Sequence, residues 1–182
     1  MKKYQIIYAD PPWSYRAKHP TCKIKKQPKT CSVEYYYKTM KLKNIQNLPI
    51  KNISDDDCVL FLWATTPMIQ EAFATMKAWG FKYKTMITWE KTNDDCMGYW
   101  FRVCTEHLLV GIKGKVKAFR CMERTLHREP RLGHSRKPNY FRNLIKQFGN
   151  TRIELFAREK TEGWDAWGNE VESDIELGGG IL

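Results

Sequence analysis

Five consecutive bulky apolar residues, Val59-Leu60-Phe61-Leu62-Trp63, constrain the fold of this chain more than any other stretch. Side chains of a strand alternate between its two faces, so a strand without alternating polar residues must be covered on both sides. A sheet layered by helices on both faces meets that demand. The residues that follow agree. Thr66-Pro67 reads as an N-cap with proline at the first helical position. Met68, Ile69, Ala72, Phe73, Met76 and Trp79 then recur at helical spacing until Gly80 stops the helix.

The same alternation runs through the rest of the chain. Tyr4 to Ala9 reads as a strand ended by Asp10-Pro11-Pro12, since two prolines cannot continue a central strand. Further strands are expected over Tyr83 to Trp89, Leu108 to Ile112 and Ile153 to Ala157. A second helix opens at Pro138, with Phe141, Leu144, Ile145 and Phe148 on one face and Gly149 behind them. At 182 residues the chain is about one domain long. The expectation is a single α/β domain, with a largely parallel sheet flanked by helices. Residues 14–35 and 113–137 read as long loops, and residues 171–182, with Gly178-Gly179-Gly180, as a flexible C-terminal tail.

Charge narrows the partners. Lys and Arg number 31 against 20 Asp and Glu, a net +11 that points to an anionic partner, nucleic acid first. The excess gathers in the two loops. Lys18, Lys23, Lys25, Lys26 and Lys29 in the first, with Arg131 and Arg136 in the second, are candidate phosphate contacts, which would position a nucleic acid without reading its sequence. An apolar run long enough to span a bilayer is absent, and Tyr4 to Ala9 is too short for a signal-peptide core, so a cytoplasmic protein without membrane contact is expected. The six cysteines form no C-x-x-C pair. They read as reduced structural thiols, and no metal site is expected.

Ligands of such sheets bind beyond the carboxyl ends of the strands. Asp10-Pro11-Pro12-Trp13 lies at that place. Proline fixes its own φ and pushes the residue before it toward extended geometry. The product is a stiff elbow that sets a carboxylate beside a backbone carbonyl, two acceptors suited to an exocyclic amino group. Trp13 adds a flat ring on which a base can stack.

On these residues the chain resembles the MT-A70 family of adenine-N6 methyltransferases, which use S-adenosylmethionine (SAM). Tyr8-Ala9-Asp10-Pro11-Pro12-Trp13 carries the family's catalytic motif. The likeness continues through Phe61-Leu62-Trp63, Trp89-Glu90-Lys91-Thr92-Asn93, Glu106-His107-Leu108-Leu109-Val110-Gly111, Ser135-Arg136-Lys137-Pro138 and Ile153-Glu154-Leu155-Phe156-Ala157-Arg158. It ends at Gly163-Trp164-Asp165-Ala166-Trp167-Gly168-Asn169-Glu170, the usual ending of the bacterial and phage subgroup.

The resemblance implies a Rossmann-like sheet, a catalytic domain over residues 1–170 and SAM as cofactor. It implies that Asp10 and the Pro11 carbonyl accept from the adenine amino group, that Pro12 shapes the elbow and that Trp13 lines the base pocket. Lys137 would pair with the SAM carboxylate. Glu154 and Arg158 would belong to the cofactor site after the last core strand, and Asn169 and Glu170 to the ribose contacts. Glu154 could instead be a structural carboxylate paired with Arg152 or Arg158. Among polymers, the small relatives favour DNA, with RNA as the alternative and a catalytically silent nucleic-acid-binding scaffold as the second. Whether the chain acts alone, as a homodimer or with a partner subunit stays open at this point.

Overall fold

A computed structural model describes residues 2–14, 39–93, 96, 98, 100–133 and 136–178. Among them, seven strands form one sheet in the order β5-β3-β4-β2-β1-β6-β7. The strands are β1 (Tyr4–Ala9), β2 (Ser54–Thr65), β3 (Lys82–Lys91), β4 (Thr105–Lys113), β5 (Leu126–Glu129), β6 (Arg152–Leu155) and β7 (Asp165–Trp167). The helices are α1 (Leu42–Gln46), α2 (Ile50–Ile53), α3 (Ile69–Ala78) and α4 (Asn139–Ile145). The architecture is an α/β sheet of the Rossmann-like kind expected from the sequence.

The apolar runs are explained by two cores, one on each face. Ile7 and Ala9 of β1 and Leu60, Leu62 and Ala64 of β2 meet α1, α2 and α3 through Ile45, Ile50, Ala72, Met76 and Trp79. The intervening residues Ile6, Tyr8, Val59, Phe61 and Trp63 face the other way, against Phe141 and Ile145 of α4 and Trp164. β1 and β2 pair in parallel through Ile6–Val59 and Ala9–Leu62 and are buried between both layers.

Three details of the sheet and of the start of α3 depart from expectation. β4 runs antiparallel to both β2 and β3, as the short separation between Lys91 and Thr105 permits. Within the stretch read as a second long loop lies β5, parallel to β3. Its four residues alternate between exposed and half-buried and carry His127, Arg128 and Glu129, the charged character of a short edge strand. Thr66 caps no helix with its side chain. A 3-10 turn over Thr66–Met68 precedes α3, and the Thr66 hydroxyl instead lies within hydrogen-bond distance of Thr105 and His107 on β4.

The stretch after residue 170 is docked through residue 177 rather than loose. Leu177 is buried in the core, and the Asp174 carboxylate accepts from the Ala166 amide and pairs with Lys160. Cys96 and Cys104, read as free thiols, are joined in a disulfide across the β3–β4 loop, while Cys58 and Cys121 are free. Among the described residues, no helix is long and apolar enough to cross a membrane.

Candidate active site

The registers bring the candidate site residues to one edge of the sheet. β1, β2, β3, β5 and β6 all end there and β4 begins there, since it runs opposite to its neighbours. Asp10 follows β1 at this edge. Its amide donates to Leu155 O at 3.5 Å, which ties the elbow to the end of β6. The Pro11 carbonyl already accepts from the Trp13 amide at 2.8 Å, a tight turn that leaves one of its two lone-pair directions for another donor. The Pro12 carbonyl accepts from the Met40 amide at 2.9 Å, so the elbow is pinned on both sides.

Asp10 faces Lys137, whose Nζ lies 2.6 Å from its Oδ2. The same ammonium reaches Glu106 Oε2 at 3.1 Å, and Glu106 Oε1 takes a second cation, Lys91 Nζ, at 2.7 Å. Two carboxylates and two ammonium groups thus alternate from β1 through the start of α4 to the strand ends of β4 and β3. Burial alone would push the Lys137 ammonium down, but the facing charges of Asp10 and Glu106 more than reverse this and hold it above the usual lysine range. Burial likewise works against the Glu106 carboxylate, and Lys137 and Lys91 pull it below its ordinary value. Charges this far from water persist only when paired in this way.

A cleft of about 240 Å³ opens beside this network, lined by Tyr8, Asp10, Arg136, Lys137, Arg142, Glu154, Phe156, Arg158 and Glu159. Tyr8 forms part of the wall. Its hydroxyl accepts from Trp63 Nε1 at 2.7 Å, and burial holds it above the ordinary tyrosine range. Glu154 stands on β6 with both oxygens held by Arg142, at 2.8 and 2.7 Å. That partner comes from α4, not from Arg152 or Arg158. Phe156 leaves the strand with φ of +62°, a backbone conformation that a bulky side chain adopts only where its surroundings enforce it. The Phe156 ring lies edge-on to that of Trp167, 5.4 Å away.

Five of the residues expected at a site are brought together. Asp10, Lys137, Glu154, Arg158 and Arg136 share the one cleft, and Arg136, read as a phosphate contact, pairs there with Glu159 at 3.2 Å. Asn169 and Glu170 are exposed just beyond β7, outside the cleft lining, with Glu170 3.7 Å from Arg158. Their placement depends on Gly168, where a Cβ would sit 2.1 Å from the Ala157 carbonyl oxygen. Arg131 lies in the segment after β5, where its backbone is clamped by the Asn93 side chain.

Trp13 is a correction. Its indole is 3% exposed, packed in the core with Nε1 donating to the Trp63 carbonyl, so it supports the elbow and offers no face to a base. Lys18, Lys23, Lys25, Lys26 and Lys29 lie outside the described residues. Glu106, Lys91, Arg142 and Phe156 have site positions that sequence reasoning gave no role. The available signal was a carboxylate inside the apolar strand Glu106 to Gly111, where a charge requires a partner.

The donor set of the cleft fits SAM. Lys137, Arg136 and Arg158 can meet a carboxylate, and Asp10, Glu154 and Glu159 can accept from an ammonium group or from ribose hydroxyls. Among the described residues no cluster of His, Cys, Asp or Glu could hold a metal ion.

A doubly layered α/β sheet with an aspartate elbow and an ion-paired cleft at its carboxyl edge is the framework of a Rossmann-like transferase. Sequence comparison narrows the class. The family model MT-A70 matches residues 4–170, and the chain belongs to that family of adenine-N6 methyltransferases. The Type II methyltransferase M.MunI of a Mycoplasma species is 38% identical over 191 residues, covering 97% of this chain and 82% of its own length. The N(6)-adenosine-methyltransferase subunit METTL3 of Danio rerio is 28% identical over 93% of this chain and 28% of its own length. A putative N(6)-adenosine-methyltransferase MT-A70-like protein of Medicago truncatula is 27% identical over 93% of this chain and 26% of its own length.

Proposed function

We propose that this chain methylates the N6 amino group of adenine in DNA, with SAM as methyl donor. The observation that carries the reading is the Asp10–Lys137 pair at 2.6 Å, set at the end of β1 beside the Pro11 carbonyl. The adenine amino nitrogen is a poor nucleophile because its lone pair is delocalised into the ring. Two fixed acceptors, the Asp10 carboxylate and the Pro11 carbonyl, favour its localised form and stabilise the positive charge that develops as the nitrogen attacks. Lys137 holds the Asp10 carboxylate in place, and Pro12 fixes the elbow. Bound SAM supplies an electrophilic methyl group. Lys137, Arg136 and Arg158 would meet its carboxylate, Glu154 would hold its polar groups, and Asn169 and Glu170 would serve its ribose at the cleft rim. The target adenine must leave the stack to reach Asp10, since its amino group is sterically enclosed in a duplex.

Similarity to a Type II methyltransferase over nearly the whole chain supports DNA as the polymer. Similarity to N(6)-adenosine-methyltransferases, across about a quarter of their length, supports RNA as the second reading. The test is transfer of labelled methyl from SAM to duplex DNA, single-stranded DNA and RNA, followed by digestion to nucleosides. N6-methyldeoxyadenosine from wild type and none from Asp10→Ala is expected. Product in RNA alone moves the reading to the second polymer, and transfer by Asp10→Ala at the wild-type rate removes Asp10 from the chemistry.

A further inference from the structure

The loop between β3 and β4 rises from the two strand ends that carry Lys91 and Glu106, and so from the edge of the catalytic network itself. It presents Trp100 and Phe101 to solvent at 93% and 84% exposure. Adjacent bulky aromatics this exposed are unusual on a soluble surface and mark contact sites. The loop is anchored at several points. Cys96 and Cys104 close it at its base. Gly98 lies so near the Phe101 carbonyl oxygen that a Cβ would come within 1.9 Å of it. Asn93 reaches across to the segment after β5, accepting from the Arg131 amide at 2.7 Å and donating to the Arg131 carbonyl at 3.2 Å. That segment also exposes an apolar side chain, Leu132 at 64%.

We infer that Trp100 and Phe101 form a stacking wedge that engages nucleic-acid bases beside the flipped adenine. The inference rests on the proposed function and deepens it. A flipped base leaves a gap in the stack, and the enzyme must offset the lost stacking. Every base has a π face, so exposed aromatic rings next to the catalytic edge answer that need without reading sequence. Arg102, exposed beside Phe101, and the chain's net charge of +11 favour a polyanion over an apolar protein surface as occupant. The loop that carries the two rings and the Asp10 elbow both leave the carboxyl edge of the sheet.

The test uses the full chain, a fluorescently labelled mixed-sequence duplex and the matching single strand. Kd is read by anisotropy across a salt series for wild type, the double variant Trp100→Ala/Phe101→Ala and the conservative Trp100→Phe. SAM binding by calorimetry accompanies each variant as the check on fold and cofactor site. The double variant should weaken binding roughly 5- to 150-fold, the range set by removing one stacked base. Its salt slope should match wild type, because no charge is removed. Trp100→Phe should retain most of the affinity, and SAM binding should be unchanged in all three. Unchanged nucleic-acid affinity in a double variant that still binds SAM overturns the wedge and leaves the proposed function standing. A shift in sedimentation of the double variant with nucleic-acid affinity intact also overturns it, and identifies the aromatics as a protein interface. A wild-type protein that binds neither nucleic acid refutes the proposed function itself.

Discussion

Asp10 and Lys137 are 127 positions apart in sequence and 2.6 Å apart in space, and the proposed chemistry depends on that meeting. Asp10→Asn keeps the shape and removes the charge that offsets a developing cation. Turnover should fall by about 100-fold or more, the cost of losing one fixed electrostatic partner in a site shielded from water. The denaturation midpoint should change little at neutral pH, because Glu106 still pairs Lys137. Glu106→Gln tests the structural half of the network. The Glu106 carboxyl is held below its ordinary value by Lys137 and Lys91, although burial opposes this. A lowered folded-state value means stability that is present above the unfolded carboxyl pKa of about 4.3 and lost as pH falls through the folded value. Wild type should therefore lose stability more steeply than Glu106→Gln below about pH 5, measured by urea titration at a series of pH values. Equal slopes would show that the network does not stabilise the fold. At this scale the sequence disclosed Asp10 and Lys137 through their motifs. It did not disclose Trp13's burial, since a tryptophan after two prolines can face either way until its Nε1 finds the Trp63 carbonyl. Nor did it disclose Arg142, an ordinary helix-surface residue in sequence that turns inward to hold Glu154.

The element that places Lys137 is α4, seven residues long and too short to persist on intrinsic propensity. Packing holds it: Phe141 is fully buried, with its ring edge-on to Trp63 at 4.8 Å. Phe141→Ala should cost about 3–5 kcal/mol in urea denaturation. It should also weaken SAM binding, because Lys137 and Arg136 immediately precede this helix. Wild-type SAM affinity in the variant would show that the cleft does not depend on α4. The long periodic elements were legible because burial on both faces writes itself into sequence as apolar runs. β5 was not, since an edge strand needs only half-burial and pairs through its backbone, and Leu126 to Glu129 carries no alternation of apolar and polar residues strong enough to detect. The antiparallel sense of β4 was equally hidden, because direction is decided by the connection and not by the strand's own residues.

Taken whole, the molecule carries +11, and its pairings consume much of the charge around the catalytic edge internally: Lys91, Lys137, Arg142, Arg136 and Arg128 all meet carboxylates. The cations available to phosphate must therefore be sought elsewhere, and the sequence concentrates Lys18, Lys23, Lys25, Lys26 and Lys29 in one stretch directly after the catalytic elbow. Neutralising Lys23, Lys25, Lys26 and Lys29 to Gln separates the two contributions to binding. Removing a lysine that neutralises one phosphate should lower the slope of log K against log salt by about 0.9 on duplex DNA, so the slope should fall by up to about 4. Affinity at low salt should drop while SAM affinity, read in parallel by calorimetry, holds. This is the reverse of the aromatic variants, which should lose affinity at constant slope. An unchanged slope in the lysine variant would show that these four lysines do not contact phosphate.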